Sequence, residues 1–138
     1  MTIMIDTPDG INFAKACARK GALSLEIAGM TRSSGRQTAY SIVKQVYGFR
    51  GNRQSVLDDL TEYIECELRL REMNIEDYEV AKDLTQQVID HHGEEITQPK
   101  FENDIATAEH RGAINHNMRQ AMSDLFYVMI VRQNADNQ

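Results

Sequence analysis

The chain has no tryptophan, two cysteines, two prolines and no long apolar run. Each shortage excludes something. Cys17 and Cys66 are too few for a disulfide framework or a four-cysteine zinc site. Both sit among apolar neighbours, so the expectation is a pair of reduced, buried thiols. The longest near-apolar stretch, 125–131, falls well short of the roughly 18 residues needed to cross a bilayer, and no membrane partner is expected. The start, Met1–Asp6, lacks the basic region of a secretory signal and runs straight into Thr7-Pro8-Asp9-Gly10. A cytoplasmic location is therefore expected. Because Pro8 and Pro99 are the only prolines, nothing between them forbids helix.

With 41% hydrophobic and 26% charged residues, the 138-residue chain has the composition of one globular domain. Its net charge of −6 argues, as an average, against binding nucleic acid. The average hides a split. Residues 1–54 hold eight basic and three acidic side chains, net +5; residues 55–138 hold seven basic and eighteen acidic, net −11. The expected organisation is a single helical domain. Its basic portion is 1–54, its acidic helical portion 55–133, and residues 134–138 form a frayed tail.

Apolar periodicity predicts an all-α fold, a compact bundle of about five helices. The first helix, about 9–29, follows a Thr7 cap and carries Ile11, Ala14, Ala18, Leu25 and Ala28, widened by Phe13, Leu23 and Ile27. A polar, basic loop at 30–37 follows. The second helix, about 36–47, presents Tyr40, Val43 and Tyr47 and stops at Gly48. Asn52 is placed to cap the third, about 53–73, with Leu57, Leu60, Ile64 and Leu68 as its stripe. A fourth helix at about 75–91 ends at Gly93. A fifth from about 100 to 132 is either one continuous rod or two helices hinged at 112–117. The only strand signal is a short extended segment at Ile3–Ile5.

Four sets of residues are candidates for chemistry. The first is the segment 36–63, a helix, a glycine-containing turn and a second helix, the outline of a helix-turn-helix. In such motifs the first residues of the second helix face base edges, and Arg and Gln pair bidentately with guanine and adenine. Arg50, Arg53 and Gln54 stand at that start, Lys44 lies on the helix before it, and Arg32 and Arg36 occupy the preceding loop, where phosphate contacts would set register. Against this, the turn is too long by a residue or two, Lys44 falls where a small residue is usual, and Asp58, Asp59 and Glu62 would repel phosphate. The plain alternative is a solvated loop with ordinary helix caps.

The second set is His91, His92, Glu94, Glu95, Glu109, His110 and His116. No Glu-x-x-His or His-Glu-x-x-His spacing is present, so no metal or other cofactor is expected. The third is Glu62-x-x-Glu65 with Glu76-Asp77-x-Glu79. These loosely resemble the magnesium-binding carboxylates of all-α nucleotide pyrophosphohydrolases. The later Glu-x-x-Asp partner is missing, and solvated acidic faces are the favoured reading. No phosphate-binding glycine loop or nucleophile–base motif appears, and an enzyme is not expected. The fourth is a methionine-rich stripe, Met118, Met122, Leu125, Phe126 and Met129, which is either core or the interface of a homodimer or other partner.

Two functional readings follow. The leading one is a small regulatory protein that contacts duplex DNA through Arg32, Arg36, Lys44, Arg50, Arg53 and Gln54. The competing one is an acidic helical interaction module — adaptor, inhibitor or DNA mimic — that meets a protein partner with a basic surface.

Overall fold

The computed structural model of the chain describes residues 8–29 and 38–136. Six α-helices and one 3-10 turn account for nearly all of them, with no strand among the described residues. They are α1 (Pro8–Ile27), α2 (Ala39–Tyr47), α3 (Arg53–Glu72), α4 (Ile75–His92), α5 (Gln98–His110) and α6 (His116–Asp136), the 3-10 turn being Gly93–Glu95. Ile3–Ile5, the Thr7 cap and the loop at 30–37 lie outside the described residues. No helix among the described residues is long and apolar enough to cross a membrane.

The helix count is six, because the long C-terminal periodicity is broken at 111–115. Gly112 adopts φ 79°. Its N–H donates to the Glu109 carbonyl (3.0 Å), and that of Ala113 to the Ala108 carbonyl (2.9 Å). This pairing is the Schellman termination. Asn115 then starts α6, its side chain accepting from the Met118 N–H at 2.7 Å. The other junctions follow the same chemistry. Asn52 accepts from the Ser55 N–H (2.9 Å), Asn74 from Glu76 (2.8 Å) and Thr97 from Lys100 (3.4 Å).

By contact the chain divides into two units. One is continuous in sequence, residues 66–129. The other is discontinuous, comprising the described residues among 8–65 together with 130–136. Helices α3 and α6 contribute to both.

In the discontinuous unit α1 packs on α2. Ala16, Leu23, Val43, Val56 and Leu60 are fully buried. Tyr47 stacks on Phe49 (5.6 Å between ring centres) and meets Tyr63 at 5.7 Å. The α1 stripe therefore differs from the expected one. Ala14, Ala18, Leu25 and Ala28 are exposed, and Cys17 is exposed with them. Alanine loses little by facing water, so alternating alanines mislead about which face is inside. Leu23 and Ala16, seven residues apart, mark the buried line.

In the continuous unit α4 packs on α5, and Phe101 lies flat against Phe126, 4.2 Å between ring centres. Met122, Leu125 and Phe126 are buried, Met118 is half-buried and Met129 is exposed. Leu68, expected in the core, is exposed, whereas the neighbouring Glu67 is buried and paired with Arg71 at 3.4 Å. Asp124 is also buried. It accepts from Arg69 at both oxygens (2.9 Å each) and from Gln120 (3.0 Å), and the Cys66 thiol lies 3.4 Å away.

Candidate nucleic-acid interface

The hairpin of α2 and α3 is joined by residues 48–52. Gly48 ends α2 in the left-handed conformation (φ 73°), its N–H donating to the Lys44 carbonyl. Gly51 follows at φ 111°. Both positions suit glycine, which alone enters this region at no steric cost. The connection is five residues, longer than the three or four of a helix-turn-helix turn.

Tyr40 organises the hairpin. Its hydroxyl donates to the Gly51 carbonyl, tying the first turn of α2 to the connection. Two cations sit over its ring: Lys44 Nζ at 5.0 Å and the Arg53 guanidinium at 4.8 Å from the centroid. Lys44 Nζ also donates to the Tyr40 hydroxyl at 3.3 Å. A ring face is electron-rich, so it attracts both cations.

Glu26, from the end of α1, completes the arrangement. It accepts from the Ala39 N–H (2.6 Å), the Tyr40 N–H (3.4 Å) and Arg53 Nε (3.1 Å). The first two bonds satisfy donors that an α-helix leaves unpaired at its N-terminus, beside the Thr38 hydroxyl, which accepts from Ser41 at 3.0 Å. Glu26 thus fixes α2 against α1 and aligns Arg53 with one side chain. Thr38, Tyr40, Ser41, Lys44 and Gln45 line an open depression of about 430 Å³ beside this cluster.

Lys44 and Arg53 are therefore brought together at Tyr40. Arg50 is exposed in the connection and makes no ion pair among the described residues. Gln54 is exposed and donates to Asp58 at 2.9 Å, so a base edge would have to displace that carboxylate. Burial and then the adjacent Asp58 raise Asp59 above its ordinary carboxyl value. Arg32 and Arg36 lie outside the described residues. The sequence pattern places Tyr40 on a helix face and gives neither it nor Glu26 a part in the contact site. A signal for Glu26 existed: it is the only acid between Asp9 and Asp58.

The histidines are spread over separate pairs. His92 meets Asp104 at 2.6 Å, and His116 meets Glu109 at 3.1 Å, where Arg119 also binds at 2.5 Å. Among the described residues no three His, Cys, Asp or Glu side chains are grouped so as to hold a metal ion. No protein-family model matches the chain, and neither the curated proteins nor the solved structures contain a significant match to it.

Proposed function

We propose that the α2–α3 hairpin is a duplex-DNA contact surface and that the protein acts as a small DNA-binding regulator. The observation that supports this most is the pairing of Lys44 and Arg53 over Tyr40, beside the exposed Arg50. Cations held in place before binding lose less side-chain freedom on meeting phosphate. The arrangement suits backbone contact better than base reading, since Gln54 is engaged by Asp58 and α3 turns acidic one turn in.

The test is duplex binding as a function of salt, read by fluorescence anisotropy. Log affinity should fall linearly with log salt, and Lys44→Ala and Arg50→Ala should each flatten the slope by about 0.9. No binding at low salt, or a slope unchanged in both variants, would sink the reading.

A second reading is favoured by a different observation. The continuous unit carries six basic and thirteen acidic residues and contains an apolar trough of about 300 Å³ lined in part by Leu84, Val88, Ile105, Ala108, Ile114 and Met122. Ile75 and Val80 are exposed on α4. An apolar trough within an acidic surface suits a basic amphipathic helix, apolar side in. Affinity for such a peptide with none for DNA would exchange the two readings.

A further inference from the structure

A second set of cations in the discontinuous unit is separate from the hairpin cluster. Asn12, Lys15 and Arg19 follow one another at helical spacing along α1. Together with Arg132 from α6 and the two tyrosines Tyr47 and Tyr63, they line a pocket of about 180 Å³. Val46 and Ala135 complete its wall, and no carboxylate is among the lining residues. Three of its eight lining residues are cations, in a chain of net charge −6.

The pocket is built rather than incidental. Tyr47 is 3% exposed and Tyr63 likewise. The Tyr47 hydroxyl accepts from Arg19 Nη1 at 3.0 Å, and the guanidinium carbon lies 5.6 Å from the same ring centre. That contact fixes the direction of the Arg19 fork. Four helices supply the lining, with Lys15 and Arg19 on α1 and Arg132 facing them from α6. The volume is below the roughly 300–1,000 Å³ of drug-sized ligand sites, which suits a charged group rather than a whole molecule. Guanidinium forks match tetrahedral oxyanions through paired N–H donors, and an ammonium adds a point charge.

We infer that Lys15, Arg19 and Arg132, with Tyr47 and Tyr63, form a binding pocket for a phosphate group. The group comes either from a phosphomonoester or inorganic phosphate, or from the phosphodiester backbone of a nucleic acid. The pocket does not depend on the hairpin reading, because none of its cations belongs to the Tyr40 cluster.

The test uses the full chain in phosphate-free, low-salt chloride buffer, titrated with inorganic phosphate and followed by 31P NMR and by thermal denaturation. Chloride at matched ionic strength is the control. A saturable rise in Tm beyond the control is expected, with affinity weakened about tenfold or more by Lys15→Gln and by Arg132→Gln. Lys15 is exposed, so its variant keeps the readout if Arg132→Gln fails to fold. Lys44→Ala should leave the phosphate titration unchanged, which separates this pocket from the hairpin. A nucleoside 5′-monophosphate binding as phosphate does identifies the monoester source. Competition by a short oligonucleotide without terminal phosphate, lost in Lys15→Gln, identifies the backbone source. No saturable effect over chloride, or equal affinity in parent and both variants, overturns the inference.

Discussion

Removing either partner of the Arg69–Asp124 pair breaks the same two ion-pair hydrogen bonds, and Asp124→Leu also the one from Gln120, yet the two losses should differ in size. The Asp124 side chain is 4% exposed and that of Arg69 is 44% exposed. In Arg69→Met the carboxylate stays buried with the Gln120 amide and the Cys66 thiol as its neighbouring donors. A buried charge left without its counter-ion costs about 3–5 kcal/mol. In Asp124→Leu the stranded group is instead the guanidinium, which already reaches water and can turn outward. What remains is the loss of hydrogen bonds to a charged group, about 1–2 kcal/mol after resolvation. Adding Asp124→Leu to Arg69→Met removes the stranded carboxylate, so the double variant should be more stable than Arg69→Met alone. Equilibrium urea unfolding reads all three free energies, provided the dependence on urea is unchanged. If Asp124→Leu is as costly as Arg69→Met, or if the two losses add in the double variant, the burial argument is wrong.

Two further outcomes follow from local geometry. Gly48→Ala should cost about 1–2 kcal/mol, because φ is 73° there and the added carbon would stand 3.1 Å from Asn134 Nδ2; a neutral or higher Tm would refute this. Glu109 is held below its ordinary carboxyl value, chiefly by the Arg119 hydrogen bond; burial opposes this and His116 adds to it. A lowered folded value means that its contribution is complete above the unfolded carboxyl range, about pH 4.3, and is lost as pH falls through the lowered value. Glu109→Gln should therefore lower Tm at neutral pH and converge with the parent in acid; a difference independent of pH would contradict the assignment.

Local chemistry was readable in advance where it acts over a few residues. Gly48, Asn52 and Gly93 end or start helices where their side chains or backbone freedom require it. The break at Gly112 was one of two alternatives, since periodicity continues through it and only the positive φ ends α5. Faces were harder. Glu67 is buried and Leu68 exposed because the line through Leu60, Tyr63 and Leu70 sets the inner side of α3, and a charged residue can lie on that side once Arg71 is one turn away. The candidate interface was read only in part for a related reason. Lys44 and Arg53 announce themselves by charge. Their meeting at Tyr40, and the alignment of Arg53 by Glu26 from 27 residues earlier, depend on a tertiary fold that no local pattern encodes.

The discontinuity of one unit has a temporal consequence. Asn134 Nδ2 donates to the Tyr47 carbonyl at 3.1 Å across 87 residues of sequence, and Arg132 and Ala135 wall the basic pocket. Residues 66–129 have all their unit partners as soon as they leave the ribosome. The described residues among 8–65 emerge first but wait for 130–136 to complete their packing, a closure with the large loop entropy of a high-contact-order step. Synthesis order and completion order are thus reversed. The positively charged segment spends translation without its last helical turns, in the interval when a chaperone or a polyanion could engage it.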